Sequence, residues 1–192
     1  MKKIIIGVIA RKNKLQNGKT FIGAYANYLK KIINAGGTPI IIPEYDYDDL
    51  KSVLKMCDGI LAPGGDDITD FDKYIYEYAR KYDIPYLGIC LGMQAMTNGL
   101  EKVKNHYLTN HKVYLSKSSK LYKIYNSDEI LVNSRHKFKI KDPKGLNITA
   151  YSNDDVIEGL EDYNKKFIVG VEWHPEDLED SKLFEEFIKS CI

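Results

Sequence analysis

Short apolar runs alternate with amphipathic stretches through the first half of the chain. Ile4-Ile5-Ile6-Gly7-Val8-Ile9-Ala10 is the first run, and Thr38–Ile42, Gly59–Ala62 and Pro85–Ile89 repeat it. Runs of this length with few polar positions predict strands buried on both faces of a parallel sheet, the first over Lys3–Ala10. Between the first two, Phe21, Tyr25, Tyr28, Leu29 and Ile32 fall on one face of a helix that Gly36-Gly37 ends, with Pro39 soon after. Two more helices are predicted, near Asp48–Met56 and Phe71–Tyr82. In the second, Tyr74, Tyr78 and Tyr82 recur every four residues, which predicts a core-facing stripe. Strand and helix in alternation predict an α/β fold, a parallel sheet wrapped by helices.

After about Asn105 the runs shorten and begin to alternate with polar positions. His111–Leu115, Leu121–Tyr125, Ile130–Val132, Lys137–Ile140, Leu146–Tyr151 and Val156–Glu158 read as antiparallel strands, with Asp142-Pro143-Lys144-Gly145 as a turn. Phe167–Val171 is a last buried strand, and Leu183, Phe184, Phe187, Ile188 and Cys191 mark one face of a closing helix. No repeat or low-complexity linker interrupts the 192 residues, so one domain over 1–192 is expected.

Charge and cysteine usage narrow the partners. The 28 Lys and Arg nearly cancel the 27 Asp and Glu, leaving no global field to favour nucleic acid or an anionic membrane. A small neutral or zwitterionic ligand fits better. The N-terminal apolar run is too short for a membrane span and is cut off at once by Arg11-Lys12-Asn13-Lys14, so it reads as a strand rather than a signal peptide. Three scattered cysteines, Cys57, Cys90 and Cys191, favour a reducing cytoplasm over a disulfide framework. Cys57 and Cys191 lie among apolar helix positions and read as packed thiols. Neither CxxC nor HExxH occurs, and no metal site is expected.

The sharpest chemical signal is Gly88-Ile89-Cys90-Leu91-Gly92-Met93-Gln94, which follows a predicted strand and opens a helix. A nucleophile on so tight a turn needs small residues on either side, and Gly88 and Gly92 supply them. The helix start is expected to lower the Cys90 thiol pKa. Attack on an amide also needs an acid for the departing amine. Among His106, His111, His136 and His174, the last stands directly after a buried strand in Val171-Glu172-Trp173-His174-Pro175-Glu176. Glu176 can fix its tautomer. Pro63-Gly64-Gly65 ends another predicted strand, where the backbone N–H of Gly64, together with that of Leu91, could hold an oxyanion. Gln94, one turn past Cys90, faces the same way and is a candidate substrate contact.

These motifs together resemble the class I glutamine amidotransferase superfamily across nearly the whole chain: Gly88–Gln94 matches its nucleophile motif and His174-Pro175-Glu176 its histidine–glutamate motif. The resemblance implies a Cys90–His174–Glu176 triad, a γ-glutamyl thioester intermediate and a three-layer α/β/α, flavodoxin-like sheet with added antiparallel strands. Tyr28-Leu29 with Ala35-Gly36-Gly37-Thr38-Pro39, Pro63-Gly64-Gly65-Asp66-Asp67-Ile68 and Val132-Asn133-Ser134-Arg135-His136 look more like its γ-glutamyl hydrolase branch, the peptidase C26 group that includes γ-glutamyl-γ-aminobutyrate hydrolase. Leu91 stands where that branch often has Arg, Asp155 stands where it has glycine, and the segment after Ile68 is short. By the same resemblance Gly65, Gln94, Ser134, Arg135 and His136 would hold the γ-glutamyl group, and His106 and His111 would sit at the cleft rim unless they are ordinary surface residues. Arg11 reads as a surface salt-bridge residue.

The expected activity is therefore cysteine-dependent hydrolysis of a γ-glutamyl amide, with no cofactor. The expected partner is a small-molecule γ-glutamyl substrate, with a homo-oligomer or a synthase as the macromolecular alternatives. Two other readings remain: a glutaminase subunit passing ammonia to a separate synthase, and a non-catalytic thiol sensor on the same fold.

Overall fold

The computed structural model describes residues 3–44 and 46–192. The chain begins with β1 (Ile4–Ile9) and a small hairpin, β2 (Arg11–Lys14) and β3 (Thr20–Gly23). It continues through α1 (Ala26–Asn34), β4 (Gly37–Ile42), α2 (Tyr47–Leu54), β5 (Gly59–Ala62), α3 (Asp70–Tyr82), β6 (Tyr86–Ile89) and α4 (Leu91–Gln94). The second half runs β7 (Asn98–Lys102), β8 (Tyr107–Leu115), α5 (Lys120–Tyr125), β9 (Glu129–Arg135), β10 (Phe138–Asp142), β11 (Asn147–Ser152), β12 (Ile157–Glu161) and β13 (Ile168–Val171). A 3-10 turn, Pro175–Asp177, and α6 (Lys182–Ser190) close it.

The main sheet has the order β4, β1, β5, β6, β13, β12, β11, β8, β9. From β4 to β13 neighbouring strands are parallel, and from β13 to β9 they are antiparallel. Alternation along β1 explains the layers. Ile6 and Val8 enter one core with Tyr28 and Ile32 of α1 and Phe184 and Phe187 of α6. Ile9 enters the other, with Leu50 and Leu54 of α2 and Ile75, Tyr76 and Ala79 of α3. Helices thus cover both faces, the α/β/α arrangement expected, and each fully buried large side chain contributes about 1.5–3 kcal/mol. No described helix is long and apolar enough to cross a membrane.

Four expectations are corrected. Leu121–Tyr125 lies in a helix, not a strand: the Ser119 hydroxyl accepts from Tyr122 N–H at 2.9 Å, and Asn126 ends it at φ 51°. Six residues are too few to display a helical period. Phe21 belongs to the β2–β3 hairpin, and α1 begins only at Ala26. The tyrosine stripe of α3 only flanks the core: Phe71, Ile75, Tyr76 and Ala79 are buried, Tyr74 and Tyr78 pack half-buried against them, and Tyr82 is exposed, with the three tyrosines stacked along the helix and Tyr47 against Tyr74. β7, which pairs with β10, is an addition to the expected elements. Asp155, standing where the hydrolase branch has glycine, has φ 60°. That left-handed conformation is the physical reason for a glycine there, and Asp tolerates it better than most residues.

Candidate active site

Cys90 sits between β6 and α4 with φ 51° and ψ −108°, a conformation that costs a non-glycine residue energy and exposes its side chain at the end of the strand. Its N–H is held by the Val171 carbonyl at 2.8 Å, and its own carbonyl accepts from Gln94 N–H at 2.9 Å. The flanking glycines are required by contact. A Cβ on Gly88 would lie 2.7 Å from the Gly92 carbonyl, and one on Gly92 would lie 2.0 Å from the Ala62 carbonyl oxygen at the end of β5.

The electrostatics of the sulfur differ from the expectation. α4 spans only four residues, so it offers little macrodipole. Burial pushes the Cys90 thiol well above its ordinary value, the Glu172 carboxyl adds to this, and the Leu91 N–H hydrogen bond opposes it.

His174 follows β13, and its Nδ1 lies 2.6 Å from Glu176 Oε1 across the stiff Pro175 turn. Its backbone is clamped by Asn133: His174 N–H donates to Asn133 Oδ1 at 2.8 Å, and Asn133 Nδ2 donates to the His174 carbonyl at 2.9 Å. The β5 end brings Gly64 between the histidine and the cysteine. A Cβ there would lie 2.9 Å from His174 Cε1 and 3.7 Å from Cys90 Cβ, so the two side chains flank one bare stretch of backbone. Cys90, His174, Glu176, Gly64, Gly65 and Arg135 all line one cleft of about 1180 Å³.

The glycine loop is braced from two sides. Arg11 Nε donates to the Gly64 carbonyl at 3.2 Å and Nη2 to the Pro63 carbonyl at 2.6 Å, while Nη1 pairs with the buried Asp72. Arg11 therefore holds the loop in place rather than forming a surface salt bridge. Gly64 N–H, expected to face an oxyanion, donates to the Tyr28 hydroxyl at 3.1 Å. Burial, followed by the nearby Glu176 carboxylate, pushes the Tyr28 phenol well up.

The remaining predicted contacts divide. Arg135 lines the cleft and pairs with Asp177. Gln94 does not line it: the side chain is buried and donates to Glu172. Ser134 is also buried, its hydroxyl donating to the His106 carbonyl at 2.5 Å. His136 is buried with His106 against Glu158, so neither is a surface or rim histidine, and His111 is partly buried beside them. Tyr28 and Asn133 carry positioning roles that residue type and spacing alone did not single out. Both lay within stretches matching the hydrolase branch, which was the available signal.

Comparison with known proteins agrees with this geometry. The Peptidase C26 family model matches residues 4–70 and 69–176. The gamma-glutamyl-gamma-aminobutyrate hydrolase PuuD of Escherichia coli is 29% identical, over all of this chain and 94% of that protein. A glutamine amidotransferase-like protein of Rickettsia prowazekii, RP404, is 28% identical with 86% of each covered. The glutaminase domain of Trypanosoma brucei CTPS, solved with bound acivicin, shares the fold with a TM-score of 0.78 over 98% of this chain and 94% of that one, at 20% identity.

Proposed function

The chain belongs to the peptidase C26 family of the class I glutamine amidotransferase superfamily, and on that premise we propose that it hydrolyses a γ-glutamyl amide with Cys90 as nucleophile and His174–Glu176 as its acid–base pair. The observation that carries the reading is the strained Cys90 elbow facing, across Gly64, a histidine whose Nδ1 is already held by Glu176.

Burial pushes the Cys90 pKa up, and in this reading His174 takes the thiol proton as the sulfur attacks the γ-carbonyl. Glu176 keeps the imidazole in the required tautomer and stabilises the imidazolium that forms. In this reading the Leu91 N–H, next along the chain from the sulfur, donates to the oxyanion, and Gly64 can be the second donor once it leaves Tyr28. His174 then protonates the departing amine, breaking the C–N bond and leaving a γ-glutamyl thioester. Water deprotonated by His174 attacks that thioester, and glutamate leaves as Cys90 regains its proton.

The cleft favours a γ-glutamyl amine or peptide over glutamine alone. Its volume exceeds the roughly 300–1,000 Å³ of ordinary small-ligand pockets, which leaves room beyond the γ-glutamyl group. A glutamate-release screen over glutamine, γ-glutamyl amines and γ-glutamyl peptides tests this. Turnover confined to glutamine, and rising on addition of a synthase, would favour the ammonia-delivering alternative. Silence toward every γ-glutamyl compound would leave the thiol-sensor reading.

A further inference from the structure

Outside the cleft, three histidines and a carboxylate converge in the antiparallel half of the sheet. His106 precedes β8, His111 lies within it, His136 follows β9 and Glu158 belongs to β12. Glu158 Oε1 stands 3.3 Å from His106 Nδ1, 3.5 Å from His111 Nε2 and 3.4 Å from His136 Nε2. His106 and Glu158 are almost wholly buried, and His111 is 16% exposed.

The partners on the outer side of the rings determine what the inner atoms offer. His136 Nδ1 lies 2.8 Å from the Phe138 carbonyl, which can only accept, so that nitrogen carries the proton. His106 Nε2 lies 3.1 Å from an Asp154 carboxylate oxygen and donates to it. In their neutral forms both rings therefore turn lone pairs inward, His106 Nδ1 and His136 Nε2 facing each other at 3.1 Å. Both oxygens of Glu158 and His111 Nε2 lack any hydrogen-bond partner of acceptable geometry despite these short distances. Converging lone pairs call for positive charge among them, which either an added proton or a metal ion can supply.

The geometry points to a divalent transition-metal site, of the zinc class, held by His106, His111 and Glu158. One ligand atom from each lies within 4.8 Å of the others. The two nitrogen-to-oxygen separations of 3.3 and 3.5 Å match the roughly 3.3 Å edges of a tetrahedron with metal–ligand bonds of about 2.0–2.1 Å. Two imidazoles and one carboxylate suit zinc better than magnesium or calcium. Asp154, itself held by the Ser152 hydroxyl at 2.6 Å, orients His106 as carboxylates beyond metal-bound histidines do. His136 is the nearest further nitrogen donor. The segment between His106 and His111 carries Tyr107 and Leu108 on the cleft wall, so the metal would pin that wall.

The test is metal binding to chelator-treated Cys90→Ser protein, which removes the cleft thiol as a competing ligand. Titration with Zn²⁺ should show one ion per chain, and Co²⁺ should give a visible spectrum without a sulfur-to-cobalt charge-transfer band. Affinity should fall at least tenfold in His111→Ala and in Glu158→Gln, and by about 10–100-fold in Asp154→Asn. If Glu158→Gln fails to fold, the partly exposed His111→Ala decides the matter. Absence of stoichiometric binding, meaning that protons alone serve as the cation, overturns the proposal, as does equal affinity in His111→Ala. Neither outcome depends on glutamate release.

Discussion

The Gly64 N–H donates to the Tyr28 hydroxyl at 3.1 Å, and after burial the nearby Glu176 carboxylate is what pushes that phenol's pKa up. One side chain from α1 therefore holds the glycine loop while lying beside the carboxylate that holds His174. Tyr28→Phe leaves the Gly64 N–H without this partner and removes the hydroxyl beside Glu176. It should cost about 1–3 kcal/mol of stability, and kcat/KM should fall by roughly tenfold through a less well oriented His174. Thermal melts and kinetics on one preparation check both. Unchanged values in both would mean that the link does no positioning.

Cys90→Ser should bring glutamate release to background while leaving the melting temperature near that of wild type, because a hydroxyl is a far poorer nucleophile at neutral pH. Wild-type-like turnover would remove the central assignment. Cys57→Ser and Cys191→Ser should keep activity if they fold, at some cost in stability from a partly buried hydroxyl.

The state of the sulfur is separately measurable. Since burial and Glu172 raise the Cys90 pKa, its alkylation by iodoacetamide should be slow at pH 7 and still rising above about pH 8.5, where an ordinary thiol is half ionised. A rate that plateaus below pH 7 would show a preformed thiolate–imidazolium pair instead.

Gly92→Ala tests the elbow without touching a reactive atom. The new Cβ would lie 2.0 Å from the Ala62 carbonyl oxygen, a backbone atom that cannot swing aside, so α4 must move away from the end of β5. The expected loss is about 3 kcal/mol or more, read by denaturant unfolding. Stability within about 0.5 kcal/mol of wild type would contradict this packing.

How much of this was legible depends on whether the cause is local. Gly88, Cys90 and Gly92 announce the elbow because the turn's steric demand acts on adjacent residues, and His174 and Glu176 meet across a single proline. The parallel strands were visible as apolar runs for the same reason. Tyr28 and Gly64, or Asn133 and His174, meet only after the sheet assembles, and nothing in their own spacing signals it. His106, His111 and Glu158 follow no fingerprint spacing, so the absence of CxxC and HExxH was silent about them. Gln94 was misplaced because helical spacing carried it toward the cleft, whereas the four-residue α4 turns its side chain to Glu172. The α3 tyrosines show that a period of four marks a face without saying how deeply it is buried.

The acid–base pair yields the most discriminating series. His174→Ala removes the group that both accepts the thiol proton and delivers it to the amine, so the chemical step should fall by roughly two to four orders of magnitude. Glu176→Gln should hurt less. The amide can keep one hydrogen bond to Nδ1 at the 2.6 Å contact, yet it no longer stabilises the imidazolium, so the rate should drop and its pH profile should move. Glu172→Gln is the neighbouring control. Glu172 is fully buried and bonded to Gln94 rather than lining the cleft. Burial lifts its pKa to about 8, with His136 opposing and Glu158 adding to the rise, and an amide of the same shape can still accept from Gln94. Its turnover at pH 7 should stay within a few-fold of wild type. Were Glu172→Gln to disable the enzyme while Glu176→Gln left rate and pH profile untouched, the carboxylate serving His174 would have been wrongly assigned.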